Sequence, residues 1–472
     1  MLLVGIVTFS IAIPLCYNTV NAFHYTRLAV IIFIISVVEG VSIINICDGG
    51  ISIYCSLVFQ SDMTVIMEVL LFIVGSICLM TFNPKGSSES PREYSLVVIF
   101  SVIGGSMILS SNDLITIYLS TELQSFALYI IAALSRDSLR SVQASVKYFI
   151  LGAWSSAFIL LGVGIIYTST GSTSLVSMSD WISSTSIGPF SNAGLGLIFI
   201  YSGYLFKVSA APFHNWAPDV YQNTPTVVTM MLITLPKVSI ITALFTITNK
   251  FINTNVMYAL LVVSVSSIVI GAVTGLVQTQ LRRLIAFSTI NHVGFIVLCL
   301  GLGVESSSNA LIFYVLQYSL STIIIWISII AYESGERPVN YLSDLRQSFS
   351  KYSIVTFSIV ISLFSIIGLP PIVGFIAKMG VLWSSVDEGA YVNFMVAIMS
   401  SVVSASYYLK IIKIIMFDGG GSKMIETPHR IRISNISPLH AYTISTGTAF
   451  ICLFILDSEV LINSIELSLL TI

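Results

Sequence analysis

The apolar residues of this chain run in blocks, and each block is close to the length that crosses a bilayer. A transmembrane helix needs about 20 of them. Such blocks lie at roughly 1–17, 27–47, 63–83, 94–111, 114–134, 141–168, 194–217, 224–248, 255–279, 283–303, 308–331, 352–385, 390–416 and 439–463. They predict an all-α polytopic membrane protein with about fourteen spans. Residues 51–59 are too few to span and are expected to form a loop or a re-entrant piece.

The loop charges test this count. Fourteen crossings put both termini on one side. Fifteen loop lysines and arginines then fall on one face, Arg140, Arg282, Arg283 and the basic stretch Lys423, Arg430 and Arg432 among them, and Lys250 alone falls on the other. Loop acidic residues divide nine to ten, as expected if only Lys and Arg set orientation. A wrong count would scramble the asymmetry downstream of the error. The basic face is therefore expected in the cytoplasm or matrix, with both termini opposite.

Composition agrees. The chain is 56% hydrophobic and 9% charged, with mean hydropathy +0.95, whereas soluble domains carry about 25% charged residues. A soluble globular protein is excluded, and no polar stretch is long enough for a separate domain. Net charge of −2 without a basic, aromatic-interleaved patch gives no sign of nucleic acid. The six cysteines (Cys16, Cys47, Cys55, Cys78, Cys299 and Cys452) lack metal or iron–sulfur spacing and read as small apolar residues. No dinucleotide or phosphate-binding glycine motif is present, so no cofactor, nucleotide or metal is expected here. The opening MLLVGIVTFSIAIPLCY lacks a basic region and a cleavage site and reads as a first span. No Arg-rich presequence is present, which implies synthesis where the chain is inserted, in a bacterium or an organelle.

Seven charges remain once the loop residues are set aside: Glu39, Glu68, Glu122, Lys147, Lys207, Lys237 and Lys378. A lysine at mid-membrane costs roughly 3 kcal/mol or more and is usually kept for an ion or proton pathway. Glu122 is mid-way along the fifth block and Lys147 near the start of the sixth. Opposite charges on adjacent helices can pair. Such a pair is either a static structural link or a switch, since a lysine that loses its proton leaves the carboxylate readier to hold one. Lys147 is also close enough to a helix end to snorkel to the basic face. Lys207 and Lys237 lie about half-way along their blocks, too deep for that. Burial disfavours the charged form of any amine, and a lysine able to shed its proton can relay one. The alternative is a lysine paired for stability.

Prolines fall beside two of these lysines. Pro212 frees the carbonyl of Val208, next to Lys207. In GLPPIVGFIAK, Gly368, Pro370 and Pro371 interrupt the twelfth block, free the carbonyls of Ile366 and Ile367, and precede Lys378 by two turns. A broken helix with a buried lysine thus recurs five spans later, and an odd offset inverts topology. Helices 4–8 (94–250) and 9–13 (251–416) are expected to form two inverted repeats, after N-terminal helices 1–3 (1–93) and before a basic loop and helix 14 (417–472). The register is imperfect, because Lys207 precedes its proline and Lys378 follows its own. His292, in the tenth block, can exchange a proton near neutral pH or serve as a bonded core residue. His214, in the first break, has the same two readings. Glu39 and Glu68 stand outside the repeats, either for a neighbouring subunit's polar path or for pairing with hydroxyls.

At these residues the chain resembles a known family. TELQSFALYI, APFHNWAPDVYQNTPTVVTMML with the LPK that follows, and GLPPIVGFIAK are similar to the antiporter-like membrane subunits of proton-pumping NADH:quinone oxidoreductase, respiratory complex I. The resemblance covers about residues 94–416. It implies a midplane polar axis of a helix-5 glutamate and lysines on helices 6, 7, 8 and 12, here Glu122, Lys147, Lys207, Lys237 and Lys378. Lys378 stands where the fourth subunit has a glutamate, and the chain lacks the fifth subunit's long lateral helix. Its Ile and Ser usage resembles an organelle-encoded fungal member of the mitochondrial inner membrane. The implied function is proton translocation beside other membrane-arm subunits, adjacent antiporter-like ones included. NADH oxidation, flavin, iron–sulfur clusters and ubiquinone would belong to partner subunits. The rival is a subunit of a multi-subunit cation/proton antiporter, and a third reading is a scaffold whose polar axis is vestigial.

Overall fold

The computed structural model describes residues 1–15, 22–44, 50–82, 93–135, 138–184, 192–251, 254–303, 305–333, 339–346, 348–418 and 438–469. In lipid every backbone polar group must be bonded internally, and the chain meets this almost wholly with helices. They are α1 (Leu2–Leu15), α2 (Ala22–Ile43), α3 (Asp62–Thr81), α4 (Tyr94–Ser110), α5 (Leu114–Ala133), α6 (Leu139–Thr170), α7 (Leu175–Ser184), α8 (Asn192–Val208), α9 (Trp216–Asn223) and α10 (Thr226–Lys250). Then come α11 (Thr254–Val277), α12 (Leu281–Leu302), α13 (Glu305–Glu333), α14 (Ser348–Lys351), α15 (Ser353–Ile367), α16 (Val373–Asp387), α17 (Tyr391–Met416), α18 (Pro438–Leu453) and α19 (Ser458–Leu469).

Among the described residues nine helices are long and apolar enough to span, or ten if the bent pair α18–α19 is one span. The shorter apolar α1 and α4 and the two broken pairs, α8–α9 and α15–α16, occupy the other predicted blocks. The chain is thus an all-α polytopic membrane protein with its seventh and twelfth spans broken. Three details differ from expectation. Residues 51–60 form a small antiparallel hairpin of β1 (Ile51–Ile53) and β2 (Val58–Gln60), which satisfies its own backbone where the segment is too short to span. The C-terminal block is not one straight helix, because α18 and α19 meet at 91°. The helix α7 follows the sixth span, where no element was expected. Of the loop charges, Lys85, Arg92, Arg136, Arg337, Lys423, Arg430 and Arg432 lie outside the described residues, as do Cys16 and Cys47 and nearly all of the basic loop before α18.

Helices α10, α12 and α13 are almost wholly enclosed, whereas α2, α6, α11 and α17 show most of their surface to the outside. A helix that is apolar all round belongs in the centre of a bundle. The many serines are accommodated locally. Ser101 bonds back to the Val98 carbonyl at 2.7 Å, Ser264 to Leu261 at 2.7 Å and Ser362 to Ile359 at 2.9 Å. Such back-bonding lets a hydroxyl sit in an apolar helix without an outside partner.

Candidate functional site

Both breaks are built alike. Val208 and Ile367 end their half-helices. The next residue takes a positive φ, +66° at Ser209 and +83° at Gly368. The amide after it reaches back five residues: Ala210 donates to the Leu205 carbonyl at 2.9 Å, and Leu369 to Phe364 at 3.3 Å. This left-handed cap satisfies carbonyls that a helix end would leave bare. A serine at positive φ is strained where glycine is not, so the first break stores strain that the second avoids. Side chains meet further carbonyls. Trp216 Nε1 donates to Phe206 at 3.0 Å, and Ser266 to Ala211 at 3.0 Å. At the second break Gln317 Nε2 and Ser321 of α13 meet the Ser365 hydroxyl at 3.0 and 3.1 Å. His214 lies between α8 and α9, its Nδ1 buried and without a partner among the described residues.

Lys207 stands in the last turn of α8. Its Nζ donates to Glu122 Oε1 of α5 at 2.8 Å, and the two side chains are only 6% and 15% exposed. This corrects the pairing expected from sequence, which set Glu122 against Lys147. Lys147 is two turns into α6 and pairs with Asp219 of α9, which also has Arg283 NH2 at 3.8 Å. Lys147 and Asp219 are 43% and 39% exposed. Lys147 therefore stands at the surface of the chain, and the end of the half-helix α8 takes its place beside Glu122. A cleft beside Lys207 is lined by Thr121, Gln124, Ser125, Tyr129 and Tyr148.

Lys237 is enclosed within α10. Its Nζ donates to Tyr318 Oη of α13 at 3.3 Å and lies 5.4 Å from that ring's centre. The Tyr318 ring is 5.4 Å from His292. His292 bonds Tyr314 through Nδ1 at 2.7 Å and Tyr408 through Nε2 at 3.2 Å, so it is fully bonded in the core. Lys378 Nζ donates to the Ile367 carbonyl at 2.8 Å and lies 5.6 Å over the Phe295 ring. Ile367 is a carbonyl that Pro371 frees. Among the described residues neither Lys237 nor Lys378 has a carboxylate partner. Glu68 is half-buried on α3, and Glu39 is exposed near the end of α2.

The structure thus brings Glu122 to Lys207, and Lys237 and His292 to one tyrosine, while Lys147 is held apart at the surface. Sequence reasoning passed over Tyr314, Tyr318 and Tyr408, and gave Asp219, in the stretch of the first break, no role. Tyrosines carry no formal charge at neutral pH and so escape a count of charges. Hydroxyl-bearing aromatics inside apolar blocks were the available signal.

Three solved or curated relatives place this geometry. The chain is 35% identical over 99% of its length to NADH-ubiquinone oxidoreductase chain 2 of Rhizopus oryzae, covering 98% of that protein. Its fold matches a chain of respiratory complex I from Thermus thermophilus with TM-score 0.81 at 23% identity, covering 98% of this chain and 99% of that one. It matches a chain of the Mrp complex of Dietzia sp. with TM-score 0.84 at 17% identity, covering 99% and 95%. Residues 111–404 match the model of the NADH:quinone oxidoreductase/Mrp antiporter transmembrane family. The chain belongs to that family.

Proposed function

We propose that the chain is the second membrane subunit of NADH:ubiquinone oxidoreductase and translocates protons within the membrane arm of that complex. The observation that carries this is a set of three lysines at membrane depth, each 9% exposed or less, of which only Lys207 has a carboxylate partner among the described residues. Such charges are expensive in lipid and are explained by a group that gains and loses a proton. The 35% identity over nearly the whole of a complex I chain favours electron-coupled pumping over the antiporter reading, whose fold is shared.

Lys207 is the central carrier, and Glu122 controls how firmly it holds its proton. Lys237 takes the next position, joined through Tyr318 to His292, and Lys378 leads to the exit or to an adjacent subunit. Lys147 and Asp219 form an outer pair on the basic face. Flavin, iron–sulfur clusters and ubiquinone reside in partner subunits, so this chain's part in the enzyme is the movement of protons. The assembly lies in the mitochondrial inner membrane, both termini facing the intermembrane space. Residues 94–250 and 251–416 are its two inverted repeats.

Two measurements test the assignment. On a native gel of mildly solubilised membranes, this chain is expected to co-migrate with a very large NADH-oxidising band, and migration apart from that activity would leave the ion antiporter. In the assembled complex, Lys207→Ala is expected to cut proton translocation while NADH oxidation continues. Unchanged pumping removes Lys207 from the path.

A further inference from the structure

The two repeats cross their first two helices in the same way. A Cβ on Gly104 of α4 would lie 2.6 Å from the backbone nitrogen of Gln124 on α5, and one on Gly271 of α11 would lie 2.6 Å from that of Asn291 on α12. Gln124 and Asn291 therefore occupy one equivalent position. Each is an amide inside an apolar helix, 1% and 0% exposed.

Their surroundings differ in one respect. Gln124 Oε1 accepts a hydrogen bond from Ser239 of α10 at 2.8 Å, and only its Nε2 lacks a partner among the described residues. At Asn291 both Oδ1 and Nδ2 lack one. On α17, Ser404 stands as far beyond Tyr391 as Ser239 stands beyond Thr226 on α10. Ser404 is buried as well, and its hydroxyl turns back to the Ser401 carbonyl at 2.9 Å. Asparagine is one methylene shorter than glutamine, and among the described residues no bond joins Asn291 to Ser404. Native proteins rarely leave both ends of a buried amide unpaired, and ordered water is the usual partner where other polar groups stand near. Here Ser267 packs beside Gly294 and Tyr407 beside Gly275, each within about a turn of the crossing.

We propose that Asn291 is a positioning residue that holds an ordered water between α11, α12 and α17, next to His292, and that this water does in the second repeat what the Gln124–Ser239 bond does in the first. The inference rests on the proton-translocating reading. Such a water links α12 to α17 and so helps to fix His292 between Tyr314 and Tyr408. A bridging water is nearly as good a link as a direct bond.

The test uses the assembled complex in sealed vesicles, with protons moved per NADH oxidised as the readout. Asn291→Leu keeps the volume and removes both amide atoms. It is expected to lower the proton yield with assembly on a native gel retained. Asn291→Gln restores the length found in the first repeat and is expected to keep the yield. High-resolution maps of the unaltered complex are expected to show solvent density within hydrogen-bond distance of both Asn291 amide atoms. Unchanged yield in assembled Asn291→Leu overturns the inference. So does the lack of that density, which decides the matter even where the leucine variant does not assemble. Lys207→Ala run in parallel separates the two levels. If it lowers the yield and Asn291→Leu does not, only this inference fails; if neither lowers it, the proton-translocating reading fails.

Discussion

The two broken helices hold their lysines by different means. At the first, the ammonium of Lys207 comes from the last turn of the leading half-helix and meets a carboxylate, Glu122, at 2.8 Å. At the second, Lys378 comes from the trailing half-helix and folds back onto the last carbonyl of the leading one, Ile367, at 2.8 Å. The charge stands at the end of the leading half-helix in both, where the helix dipole is negative. The two breaks keep the electrostatic position and exchange the residue that fills it. This resolves the imperfect register of the two lysines about their prolines. It also teaches that the halves differ in what is left behind when the lysine goes: an ionised carboxylate in one, a neutral carbonyl in the other.

Substitutions sharpen or break that contrast. The largest effect is expected from Lys207→Met, which strands Glu122. Breaking a buried pair from one side costs about 3 kcal/mol, and adding Glu122→Gln should recover most of it. The temperature at which the assembled complex releases this subunit is the readout, and failure of the double variant to recover would break the contrast. Lys378→Met strands only a carbonyl and should cost less, about 2 kcal/mol. An equal or larger loss than at Lys207 would mean that a charge outside the described residues faces Lys378. Tyr318→Phe keeps the ring beside Lys237 and His292 but removes the hydroxyl 3.3 Å from Lys237. Its stability cost should be about 1 kcal/mol, with proton translocation falling more than stability does. The smallest effect is expected at Lys147→Ala. That pair is half-exposed and Asp219 keeps Arg283, so the change should stay within about 1 kcal/mol. A pumping defect as large as that of Lys207→Ala would return Lys147 to the buried axis.

Much of this was legible in the sequence because lipid makes composition informative. Apolar blocks marked the spans, loop lysines and arginines tested their number, and Pro212 and Pro371 marked the breaks to within a turn. Partners were less legible. Glu122 and Lys147 are on consecutive helices, and adjacency in the chain suggested a pair. What decides pairing is depth, and the short half-helix α8 sets Lys207, not Lys147, at the depth of Glu122. The tyrosines around His292 and the amides Gln124 and Asn291 carry no formal charge, so counting charges passed them by. The right angle between α18 and α19 falls where Asp457, Ser458 and Glu459 interrupt the last apolar block, a signal that a count of spans passes over.

The most direct test of the central claim is proton yield per NADH in vesicles containing the complex with Lys207→Ala, Lys378→Ala, or both. If the two breaks serve one path in series, each single variant lowers the yield to the same level and the double is no lower. A normal yield with Lys378→Ala, or a double variant clearly worse than either single one, would contradict a single path through both halves.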